Sequence, residues 1–235
     1  MLEKEFEALN QLNWGTDRKP LNPIDDAVIA AHGDAKASKE LEDQFIAALK
    51  SGKLNRDGVD FVCRKLMIIG TAAAVPALAE LLPSKENSHM ARFALERIPA
   101  AEAAKALRDS LSKVESPQKI GVISSLGQRR DKDSASALAG LVNDADSGVA
   151  RAAALALGEI KTAEAAKALT GAKAKDGPAM LAAADANLTC AEWLLANGNK
   201  AEALAIYKTL TGEALPKHIR LAGTRGMLAC AGKKD

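Results

Sequence analysis

The heptamer AEAAKAL at 101–107 occurs again at 163–169, an offset of 62 residues. Midway between them, 132–138 reads KDSASAL, and Leu138 stands 31 residues from both Leu107 and Leu169. Earlier in the chain, VPALAELL at 75–82 puts Leu78 29 residues before Leu107. A second column keeps the same frame. Gly70, Pro99, Gly127 and Gly158 each follow an apolar residue (Ile69, Ile98, Leu126, Leu157), at spacings of 29, 28 and 31. Chance gives one match easily in a chain with 49 alanines among 235 residues. Two columns in register define a repeat of about 30 residues.

Each repeat divides into two helices. The first is short, as at 134–142 or 163–172, with apolar residues three and four apart. The second is longer, as in GVARAAALALGEI at 148–160, behind Asp144, Asp146 and Ser147 as candidate caps. Thr162 is placed to start the next short helix, and Pro76 and Pro117 suit a first helical turn. Gly158 reads as the left-handed residue that closes the longer helix, with Pro99 stopping its own helix in the equivalent place. In this frame Leu138 and Leu157 face the core. A two-helix unit of this size buries its apolar face only by stacking on its neighbours.

Composition agrees with that reading. Hydrophobic residues make up 48% and charged residues 26%, but aromatic residues only 3%. Alanine is the strongest helix former, and the β-branched and aromatic strand formers are scarce, which excludes a β-rich fold. A formal charge of +2 gives no chain-wide field for nucleic acid or acidic lipid. Cys63, Cys190 and Cys230 lie far apart, without metal-ligand spacing, and read as small buried thiols. No apolar run is long enough to span a bilayer. MLEKEFEALNQL at 1–12 is acidic and amphipathic, unlike a secretion signal. The expected compartment is the cytoplasm by default, or an exported one if a signal peptide has been removed, and the chain is expected to be a monomer.

LGEIKTAEAAKAL, IGTAAAVPALAELL and SGVARAAALALGEI resemble HEAT repeats, specifically the short bacterial type known as PBS-lyase HEAT-like repeats. The resemblance covers roughly 58–175 and implies an all-α, right-handed α-α superhelix, a HEAT-like solenoid of about 14 helices. On this reading 1–52 form an N-terminal helical cap (helices at 1–12, 23–31 and 36–50), 53–176 hold the repeats, and 177–235 continue the solenoid. CAEWLLANGNKAEALAIYKTL at 190–210 is similar to a tetratricopeptide helix pair, with Trp193 expected in the core and small Ala201 and Ala203 at the crossing. Trp14, in a polar turn-rich segment, is either a plug for the cap or an exposed anchor.

The sequence offers little chemistry. His32, His89 and His218 are isolated, and no His-Glu pair of the kind used by the HEAT-like enzyme deoxyhypusine hydroxylase is present. There is no nucleophile elbow and no glycine-rich phosphate loop. No metal, cofactor or catalytic residue is therefore assigned. Two enzymatic roles known for this scaffold are weaker fits. An alkylpurine glycosylase wants a basic concave stripe with aromatics, and Cys63 and Ile120 interrupt the column that Arg92 and Arg151 share. A bilin-lyase-like subunit would need a tetrapyrrole site that nothing here marks. The resemblance instead implies a non-enzymatic scaffold that binds a protein or peptide, acidic in character, on the concave face. The second helices of HEAT solenoids line that face. Its candidate partner-binding residues are His89, Arg92, Arg129, Arg130, Arg151, Arg220 and Arg225.

Overall fold

A computed structural model of the protein describes residues 2–173 and 177–232. The expected helix start at Met1 and the expected end of the repeats at 174–176 lie outside them, as do 233–235. Among the described residues there are fourteen α-helices and no strand. They are α1 Glu3–Ala8, α2 Asn22–Ala30, α3 Ala35–Lys50, α4 Arg56–Ile69, α5 Val75–Ala79, α6 Ser88–Arg97, α7 Ala101–Ser110, α8 Ser116–Gln128, α9 Ala135–Leu141, α10 Ser147–Ile160, α11 Ala163–Thr170, α12 Gly177–Ala196, α13 Lys200–Thr209 and α14 Lys217–Cys230. Short 3-10 turns at Leu9–Gln11, Lys19–Leu21, Ala72–Ala74 and Lys132–Ser134 join or precede several of them.

The chain forms two compact units, Met1–Gln118 and Lys119–Asp235. In the first, α4 packs on α6 and α5 on α7. In the second, α10 packs on α12 and α9 on α11. Longer helix against longer helix and shorter against shorter is the contact pattern of stacked helix pairs, so each unit is built as an α-solenoid. The repeat frame holds: Leu78, Leu107, Leu138 and Leu169 are all buried, each on the short helix of its repeat. In the second column Ile98, Leu126 and Leu157 are buried, but Ile69 is half-buried. Leu66, one turn earlier on α4, takes the core position there.

Local chemistry sets the helix ends. Asp146 caps α10 by accepting from the Gly148 and Val149 amides at 2.7 and 3.3 Å, and Thr162 caps α11 by accepting from Ala165 N–H at 3.1 Å. The left-handed role expected of Gly158 is not found. Gly158 and Gly127 both lie inside helices, and the positive-φ residues beyond them are Lys161 (φ 54°) and Arg130 (φ 52°). The glycines serve packing instead. A Cβ on Gly127 would come within 2.8 Å of Ala156 Cα, and one on Gly158 within 2.9 Å of Ala186 Cβ. Glycine in these slots lets α8 approach α10, and α10 approach α12, almost backbone to backbone.

Two further expectations change at the C-terminal helix pair. Trp193 is half-buried, outside the core, and Ala201 is exposed, leaving Ala203, Ile206 and Tyr207 as the buried residues of α13. The Tyr207 ring lies against Gly226 of α14, where any Cβ would stand 2.3 Å from it. Cys63 and Cys190 are buried, and burial pushes their thiols up to about 12 and about 11. Cys230 is half-buried.

One polar group in the first unit is fully enclosed. Glu42 of α3 is 1% exposed and accepts from the Thr71 amide at 2.6 Å and from the Thr71 hydroxyl at 2.9 Å. It fastens α3 to the turn that starts α5. Glu42→Ala removes the acceptor and leaves the Thr71 donors without it, so a loss of about 1–3 kcal/mol is expected in urea unfolding. Unchanged stability would mean that the Thr71 donors find water at no cost.

Candidate functional site

The irregular segment 13–19 is held against the start of α4 by a small set of polar contacts. Asn55 caps α4, accepting from Gly58 N–H at 2.9 Å, while its side-chain amide donates to the Leu12 carbonyl at 2.7 Å. The Trp14 amide donates to Asp57 Oδ2 at 3.2 Å. Asn13 folds the turn on itself, accepting from Gly15 N–H at 2.9 Å and, through its carbonyl, from the Thr16 hydroxyl at 2.7 Å. Gly58 makes the approach possible, because a Cβ there would lie 2.8 Å from the Leu9 carbonyl oxygen. Buried Leu9 and Leu12 then anchor the segment.

This docking builds a groove. The Arg18 guanidinium lies over the Trp14 ring, 4.2 Å from its centroid, and 5.7 Å from the Phe61 centroid. Both distances fall within cation–π range. Arg18 Nε is buried without a hydrogen-bond partner, and the guanidinium has no carboxylate partner among the described residues. Arg64 is tied to Asp60 one turn earlier, at 2.9 Å, and Arg56 lies 3.4 Å from Asp57. On α6, an Arg92 guanidinium nitrogen lies 3.3 Å from His89 Nδ1, and His89 meets the Phe93 ring with centroids 5.1 Å apart. Burial pulls the Arg92 guanidinium below its ordinary pKa, with the charge of Glu96 opposing it. Trp14, Arg18, Arg56, Asp60, Arg64, His89 and Met90 line a cavity of about 540 Å³.

A second, smaller cavity of about 150 Å³ shares Asp60, Arg64, His89 and Met90 with the first, and adds Cys63, Met67 and Phe93. Trp14 is 38% and Phe93 44% exposed, so each of the two cavities has an aromatic lining residue that faces the solvent.

Of the residues expected from sequence, His89 and Arg92 meet at this groove. Arg151 is exposed on α10, in the other unit. Arg129 and Arg130 lie in the turn after α8, Arg130 reaching Glu159 of α10 at 4.0 Å. On α14, Arg220 is half-buried, its Nε without a hydrogen-bond partner. Exposed Arg225 lines a separate cavity of about 600 Å³ with Glu192, Tyr207 and His218. Sequence reasoning missed Arg18, Arg56 and Arg64. Two signals were available: Arg56, Asp60 and Arg64 recur at four-residue spacing on one helix face, and Gly58 sits inside a helix where nothing local needs it.

Among the described residues, no group of three or more His, Cys, Asp or Glu could hold a metal ion, and no helix is long and apolar enough to cross a membrane. The class of protein is thus an α-solenoid built of stacked helix pairs, with an arginine- and aromatic-lined groove on its first unit. Residues 104–188 match the family model of HEAT repeats, so this segment carries HEAT repeats. Two crystal structures of engineered proteins from a structural genomics consortium are similar to it. One is 20% identical with a TM-score of 0.45, over 98% of this chain and 69% of that one. The other is also 20% identical, with a TM-score of 0.34, over 97% of both chains. No curated protein matches the chain.

Proposed function

We propose that the chain is a non-enzymatic interaction scaffold that holds an acidic segment of a partner protein, with the groove around Arg18 as the principal contact. HEAT repeats commonly serve as protein-interaction scaffolds, which supports the general class. The observation that carries the specific reading is Arg18: its guanidinium is fixed by stacking on Trp14, yet no carboxylate among the described residues pairs with it. A pre-oriented arginine offers two parallel N–H donors to a carboxylate at little further cost in side-chain entropy. Asp57 and Asp60 stand among the arginines. They would oppose a continuous phosphate backbone but leave room for single carboxylates, which supports a polypeptide over a nucleic acid. Further contacts along the second-helix faces are assigned to His89, Arg92, Arg151, Arg220 and Arg225.

Charge reversal tests the reading. Replacing Arg92 and Arg151 together by Glu, or Arg18 by Gln, should weaken binding of the partner recovered from native cells by about tenfold or more, since hydrogen bonds between charged groups contribute about 1.5–3 kcal/mol each. Thermal unfolding of the Arg92/Arg151 variant should stay within a degree or two of the parent. Unchanged binding in both variants would move the contact to Arg129 and Arg130. Turnover by the purified chain that depends on a metal or cofactor would overturn the scaffold reading itself.

A further inference from the structure

The two cavities on the first unit differ in chemistry but share a wall. The larger takes Arg18, Arg56 and Arg64 into its lining, while the smaller adds Cys63, Met67 and Phe93 to the residues they share. We infer that the groove reads a two-part signal, an acidic residue for Arg18 and, beside it, one medium-sized apolar side chain that enters the smaller cavity. This rests on the proposed role as a binder of acidic segments, and adds which segments are chosen.

Size fits first. An apolar cavity of about 150 Å³ accepts a benzene-sized group. The cavity here has that volume, enough for one leucine or phenylalanine side chain and too small for two. Its lining fits next. Met67, Met90, Phe93 and the buried Cys63 thiol give one soft, polarisable wall that adapts to an aliphatic or aromatic guest, while Asp60, Arg64 and His89 form the polar remainder of the lining. Phe93, a lining residue 44% exposed, keeps apolar surface in water that such a guest would cover. The shared wall fixes the spacing. Asp60, Arg64, His89 and Met90 border both cavities, so an extended segment spans them within two or three residues at about 3.3–3.6 Å each. The Asp60–Arg64 ion pair, 2.9 Å apart, lines both cavities.

Selection of a displayed library of random dodecapeptides on the full chain tests this. The expected winners carry Asp or Glu within three positions of a Leu, Ile, Met or Phe. Changing that apolar residue to Ser in the best peptide should weaken binding, read by fluorescence anisotropy, about tenfold. Phe93→Ala should remove most of that difference while the acidic preference persists. Arg18→Gln should weaken both the parent and the Ser peptide by the same factor. Acidic winners without an apolar companion would overturn the two-part signal and leave the acidic-segment reading standing. Winners without acidic residues would overturn both. Self-association of the chain that Phe93→Ala abolishes would give the smaller cavity to a second copy, and would also overturn the proposal.

Discussion

Leu138→Ala is expected to lower the unfolding free energy by about 2–5 kcal/mol, the range found when a buried leucine leaves a cavity that its surroundings fill only in part. Leu138 is fully buried on α9, and α9 packs against both α10 and α11. In a stack, the neighbours on either side are already held by their own contacts and have little freedom to close the gap. Urea unfolding followed by helix signal checks it. A change below about 1 kcal/mol would mean that the second unit collapses around the missing side chain, and that the leucine column does not mark its rigid core.

Gly158→Val should be damaging at a similar level, for the opposite reason. Its first added carbon would already be 2.9 Å from Ala186 Cβ and 3.1 Å from Ala186 Cα. The branched methyls then push α10 and α12 apart, and overpacking of this kind typically costs about 1–3 kcal/mol, occasionally more. A double-mutant cycle separates this cause from a backbone one. If crowding is the problem, Ala186→Gly should recover part of the loss caused by Gly158→Ala, with a coupling of about 0.5–3 kcal/mol. Independent effects of the two substitutions would return the explanation to the helix backbone.

These two residues show what was legible. Leu138 was found because every repeat must present an apolar side chain to the same core position, and a requirement met once per repeat becomes a periodic column. Gly158 belongs to a column just as visible, but its physical role was misread. A glycine near a helix end signals equally a left-handed turn or a close helix crossing, and only the position of its neighbour across the interface decides between them. Lys161 and Arg130 take the positive φ instead, and nothing in either residue type announces it. The candidate site was the least legible part. His89 and Arg92 were identified from their place on a second helix. Arg18 acquires its meaning only because Asn55 and Asp57 hold a segment more than 40 residues earlier against α4. That contact belongs to the cap and not to the repeat pattern, so no repetition advertises it.

The two buried thiols give the chain a timer in each unit. A buried thiol pushed above its ordinary pKa reacts with an alkylating reagent too bulky for the cavity beside Cys63 only during excursions that expose it. Cys63 sits in the first unit and Cys190 in the second, so the two modification rates count openings separately. Half-buried Cys230 serves as the quick internal reference. Mass spectrometry of the labelled chain then measures how far opening spreads along the array. Matching rates for Cys63 and Cys190 describe a single cooperative breathing event. Well-separated rates describe a chain whose repeats loosen locally, as expected when each interacts mainly with its nearest neighbours.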